Sequence, residues 1–188
     1  MNGFHDLKSF LDIKADLYNR PEFIPSDPIS IPHLFRQKED IEIAGFLTAV
    51  ISWGQRKTIL ASARSLMHLM DDNPFDFVMG SSAADQKSLM HFNHRTFNGS
   101  DCQYFILALR NLYTHHGGLE KPFISRYSAE PVDIKRSLHQ LKETFFELPH
   151  MNRTRKHLPD PFKGSAAKRM NMFLRWMVRK DGRGVDFG

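Results

Sequence analysis

Apolar residues along the chain recur at spacings of three and four, and sustained alternation of apolar and polar positions is absent. That pattern predicts an all-α fold, because a period near 3.6 puts a stripe of side chains on one helix face while strands need a period of two. A first helix is expected over residues 4–18, and "RPEFIPSDPISIPHLF" then interrupts regular structure with four prolines. From Glu39, "EDIEIAGFLTAVISWG" is acidic at its start and apolar nearly all round, as a helix at the centre of a domain must be, with Gly54 expected to end it. "QRKTILASARSLMHLM", the short "NPFDFVMG" and "SAADQKSLMHF" predict three more helical segments. Asp101 is the expected N-cap of "CQYFILALRNLY". In "PVDIKRSLHQLKETFFEL", Pro131 suits the first helical position, and Ile134, Leu138, Leu141 and Phe145 fall at i, i+4, i+7 and i+11. Residues 149–165 read as irregular. The whole chain, 1–188, reads as a single helical domain with room for two lobes.

The last helix, expected over 166–179, divides into two faces. Met170, Phe173, Leu174 and Met177 share one; Lys168, Met172, Arg175 and Arg179 line the other, with Trp176 at the boundary and Trp53 assigned to the core. Its start is unusual. "KGSAAKRMNMFLRW" sets Lys168 and Arg169 in the first turn, where the positive pole of the helix dipole favours acids. A lysine there, close to Arg169 and Lys163, has its protonated form disfavoured, and an amine with a lowered pKa can attack carbon and form a Schiff base. Gly164, Ser165, Ala166 and Ala167 leave the backbone uncovered, so amide N–H groups could approach a phosphate. The plainer reading, that Lys168 is one more phosphate-facing or solvent-facing cation, stands beside it.

Charge sharpens this picture. The chain has 26 Lys plus Arg against 21 Asp plus Glu, a formal charge of +5. Ten of those cations and only two of the acids lie between Arg153 and Arg183, so the rest of the chain is slightly acidic. A basic segment on a near-neutral body is the footprint of a nucleic-acid binder, or else a solvated basic face. The single cysteine, Cys102, excludes an intramolecular disulfide and points to a reducing cytoplasm. The longest apolar run, near residues 43–53, is too short to cross a bilayer, so no membrane partner is expected.

"GSAAKRMNMFLRWMV" followed by "GVD" resembles the helix-hairpin-helix glycosylase superfamily of DNA repair. The resemblance implies that Lys168 is the nucleophile and Asp186 its assisting carboxylate, eighteen residues on, as in the endonuclease III branch. "AGFLTAVISWGQRKTILASARSLMHL" is similar to the paired early helices of those enzymes, which makes Gln55 the residue that enters the gap left by a flipped base. Two departures stand out: Ala166 replaces the second hairpin glycine, and "LPDPFKGS" inserts Asp160 and Pro161 into a turn that is otherwise Leu-Pro-Gly. One cysteine excludes an iron–sulfur centre, so no cofactor is expected. "HFNHRTF" and "KRMNMFLRWMVRKDGRGVDFG" also resemble a bacterial family of unknown function, numbered 2400. The resemblance to that family implies a continuation past "VDFG" with a Leu-Asp-Val-His stretch, a second candidate for the superfamily's catalytic aspartate beside Asp186.

Function is therefore expected to be duplex-DNA binding with glycosylase or lyase chemistry on a flipped nucleotide. The DNA-binding set is Gln55, Arg56, Arg95, Lys163, Gly164, Ser165, Arg169, Arg175 and Arg179. Two rivals stand: a noncatalytic nucleic-acid-binding helical module, and a scaffold docking its basic face on an acidic protein. No metal site is expected, since His91 with His94 and His115 with His116 lack completing ligands at usable spacing. His94, Arg95 and Phe97 either contact nucleic acid or fasten a loop. Asp181 in "RKDGRG" reads as turn chemistry.

Overall fold

The computed structural model describes residues 3–124 and 133–188. The fold is all-α, with helices α1 (Gly3–Tyr18), α2 (Lys38–Ile51), α3 (Arg56–His68), α4 (Pro74–Gly80), α5 (Gly99–His115), α6 (Lys121–Ile124), α7 (Ile134–Phe145) and α8 (Lys168–Val178). Short 3-10 turns fill much of the remainder, three of them starting at Pro21, Pro28 and Pro32, where a fixed φ and a missing N–H suit the first position of a turn.

The apolar character of α2 has its expected cause. Ile43 through Ile51 are all buried, and α2 packs against α3, α4 and, most extensively, α8. Phe46 is the hub, its ring 6.2 Å from Phe105 of α5, 5.5 Å from Phe145 of α7 and 5.7 Å from Phe173 of α8. Burying such a side chain contributes roughly 1.5–3 kcal/mol. The approach of α8 is closest at Gly45, where a Cβ would lie 3.0 Å from the Met177 Cε.

Several sequence expectations are corrected in detail. Asp101 does not cap α5; Asn98 does, accepting the Asp101 N–H, while Asp101 accepts the Asn98 N–H in a reciprocal capping box. Residues 85–91 form a 3-10 helix. A two-residue antiparallel pair, β1 (Asn93–His94) and β2 (Phe97–Asn98), closes the turn before α5. Trp176 is fully buried, whereas Trp53, assigned to the core, is only half-buried. Asp133 caps α7, with Pro131 outside the described residues; Leu138, Leu141 and Phe145 are buried and Ile134 is exposed. No helix among the described residues is long and apolar enough to cross a membrane.

Candidate nucleic-acid interface

Helices α2 and α8 run antiparallel, because Val50 near the end of α2 meets Arg169 at the start of α8 while Gly45 meets Phe173 and Met177. The C-terminal end of α2 and the N-terminal end of α8 therefore share one end of the molecule. This explains the misplaced cation. The Arg169 guanidinium, partly buried, donates to the Val50 carbonyl and, at 3.4 Å, to the His157 carbonyl. Arg169 stands at the wrong pole of its own helix but at the right pole of α2, whose last carbonyls lack helical partners and carry partial negative charge. Burial holds its pKa below the usual arginine value. In this structure the Arg169 guanidinium caps α2.

The backbone leading into α8 turns sharply. Asp160 accepts the Phe162 N–H at 3.0 Å, Gly164 adopts φ +80°, Ser165 Oγ accepts the Ala167 N–H at 3.1 Å, and Ala167 itself sits at φ +47°. Among the described residues no side chain caps α8, which leaves its first N–H groups to solvent or an anion. Lys163, Gly164, Ser165 and Lys168 are all exposed around this opening.

The second group follows α2. Ser52, Trp53 and Gly54 make the bend, and Gln55 stands exposed at the N-cap of α3 with Arg56 beside it, its guanidinium 5.4 Å from the Phe23 ring. Arg95 is brought to the same bend from the turn between β1 and β2, where it adopts φ +58°. Its guanidinium lies 5.3 Å from the Trp53 ring, a cation–π arrangement. Gly54 is needed for its φ of +111°, and a Cβ there would also displace the tip of Arg95, whose Nη1 would lie 2.6 Å from it. His94 fastens this turn, its Nδ1 2.9 Å from the Ser62 hydroxyl and its Nε2 3.3 Å from the Trp53 carbonyl.

A buried network that sequence reasoning missed supports both groups. The Asp101 carboxylate, fully shielded, accepts from the Thr154 hydroxyl at 2.7 Å and the Asn98 N–H at 3.1 Å, with His157 Nε2 at 3.2 Å and Arg153 Nη1 at 3.0 Å. Arg153 also donates to the Thr96 carbonyl at 2.8 Å, so the loop before α8 braces the turn that carries Arg95. The spacing of Asn98 and Asp101 was the available sequence signal, since it reads as a capping box.

Asp186 is not beside Lys168. Its shielded carboxylate pairs with Arg175 at 3.4 Å and with Arg179, which also pairs with Asp181 at 3.3 Å and donates to the Asn19 side chain. Arg179 follows the last residue of α8, an 11-residue helix about 16 Å long, so this cluster lies toward the opposite end from the amine. Arg175 and Arg179 thus bind the C-terminal segment to the helix and stand apart from the Gln55 and Lys163 groups. Asp181 Oδ1 accepts the Arg183 N–H at 3.1 Å, the turn chemistry expected of it.

Burial lowers the pKa of both His94 and His157, in the latter against the pull of Asp101. A histidine whose folded pKa is depressed protonates first in the unfolded chain, so stability present above the unfolded value near 6.5 falls as pH drops below it toward the folded value. Urea melts from pH 7.5 to 5 should show that loss, each group contributing at most about 1.4 kcal/mol per pH unit. His157→Gln should flatten the slope.

A family model described as "Protein of unknown function (DUF2400)" matches residues 27–188. No curated protein and no solved structure matches the chain.

Proposed function

We propose, for a chain that belongs to the DUF2400 family, that the end of the molecule shared by the C-terminus of α2 and the N-terminus of α8 binds duplex DNA. The observation that carries this reading is the convergence there of an uncapped helix start flanked by Lys163 and Lys168 with a rigid bend presenting Gln55 and Arg95. Helix-start N–H groups and lysines suit phosphates, which set position along the duplex without reading sequence. On this reading Gln55 and Arg95 enter the duplex where a nucleotide has left the stack; the exposure of Gln55 and the stacking of Arg95 on Trp53 beside Gly54 support it. The likeness to helix-hairpin-helix glycosylases adds a chemical role: the neutral Lys168 amine attacks C1′ of an extruded nucleotide, the glycosidic bond breaks with its electron pair going to the departing base, and loss of the amine proton with opening of the sugar ring leaves an imine. Lys168 is exposed at the first position of α8, so its amine is accessible.

A second reading, the noncatalytic module, is favoured by the ion pairs of Asp186 with Arg175 and Arg179, which occupy the one carboxylate that the resemblance assigns to this stretch. Both readings predict the same binding test. Affinity for a short duplex should fall linearly on a log–log salt plot with a slope of about −0.9 per phosphate engaged. Lys163→Ala and Lys168→Ala should each reduce that slope by about one, uniformly across sequences. Binding that ignores salt, or no binding at low salt, overturns the proposal.

A further inference from the structure

We infer that His139, Glu143 and Asp160 form a site for a first-row divalent metal ion of the zinc class, joining α7 to the turn that leads into α8. His139 and Glu143 are one helical turn apart on α7, and Asp160 faces them from the segment before Pro161; one donor atom from each lies within 4.8 Å of the others. His139 Nδ1 is 3.2 Å from Asp160 Oδ1. This pair is hydrogen-bonded as it stands, and an ion would replace the proton between them: two donors bound at 2.0–2.2 Å to one tetrahedral ion stand about 3.3–3.6 Å apart, a small opening of the present contact.

An independent observation points the same way. The Asp160 side chain is 2 % exposed, and its Oδ2 is shielded from solvent without a hydrogen-bond partner. Its Oδ1, by contrast, accepts the Phe162 N–H. A buried carboxylate whose second oxygen lacks a partner is costly, and a cation bound by this carboxylate, the imidazole and Glu143 offsets that cost by neutralising the buried charge.

The donor set selects the ion. An imidazole disfavours magnesium and calcium, carboxylates disfavour soft copper(I), and one nitrogen with two oxygens suits zinc or cobalt, with a fourth position for water. Half-exposed Glu143 provides the way in. Two cations moderate the affinity: Arg155 holds Glu143 Oε1 at 2.7 Å, and the Lys142 ammonium donates to the Leu158 carbonyl at 2.7 Å close by. None of the three ligands belongs to the proposed DNA-binding set, and the site stands whether or not that function holds. Its effect is mechanical: the ion clamps the segment carrying Gly164 and Ala167 to α7.

The experiment uses the untagged full chain, titrated with cobalt(II) and followed by its visible ligand-field bands, with zinc(II) uptake measured by dialysis and elemental analysis. About one equivalent is expected to bind saturably with a tetrahedral cobalt spectrum, and zinc to raise the melting temperature. His139→Gln and Glu143→Gln, both on the helix surface and checked for folding by circular dichroism, should each weaken binding at least about tenfold. His116→Gln, which removes a different histidine–carboxylate pair with Glu147, should leave it unchanged. The inference is overturned by the absence of saturable binding to the folded wild type, by wild-type affinity in both site variants, or by loss of the site in His116→Gln.

Discussion

Asp101→Ala is expected to cost about 3–5 kcal/mol of folding stability, measured by urea denaturation. The carboxylate is completely buried and satisfies Thr154, His157 and Arg153 as well as the Asn98 N–H that opens α5. Removing it strands the buried Thr154 and His157 donors away from solvent, and a stranded buried donor loses its full hydration energy rather than the small net value of one hydrogen bond. Thr154→Val, which deletes a single donor, should cost only about 1–2 kcal/mol. The consequence reaches the interface. Arg153 links Asp101 to the Thr96 carbonyl, and the turn containing Thr96 presents Arg95. Duplex affinity should therefore fall in Asp101→Ala at temperatures where the chain remains folded. Unchanged affinity would mean that Arg95 is placed by Trp53 and Gly54 alone.

Borohydride is expected to trap the wild-type chain on duplex DNA bearing an abasic site, and Lys168→Ala to lower the trapped yield by about 10²-fold or more. The amine condenses with the sugar aldehyde, releasing water, and borohydride reduces the imine to a stable secondary amine. Lys163→Ala supplies the contrast, since it removes a cation from the same opening without removing the candidate nucleophile: binding should weaken while adduct forms once the DNA is saturated. Asp186→Asn should leave trapping unchanged, because Arg175 and Arg179 hold that carboxylate toward the far end of α8. Loss of trapping in a folded Asp186→Asn chain would return to it the acid role that the resemblance implies. No adduct with wild type would remove the chemistry and leave the binding module.

The helices were largely legible in the sequence. Periodicity predicted α1, α2, α3, α5, α7 and α8 within a few residues, and the all-round apolarity of α2 correctly marked it as the buried centre. The prolines marked the broken segment between α1 and α2, and Asp181 was recognisable as a turn residue. These signals are local, because a helix, a cap or a turn is decided by side chains within about four residues of one another. The candidate site was legible only in part: Lys163, Gly164, Ser165 and Lys168 cluster because they are neighbours in the chain. What only the tertiary structure decided was the partner of each charge. Arg169 finds Val50, Asp186 finds Arg175 and Arg179, Arg95 finds Trp53, and Asp160 finds His139. A guanidinium or carboxylate interacts with whatever helix packing brings within a few ångströms, and that packing is set by the fit of buried faces around Phe46, far along the chain from the charges it arranges.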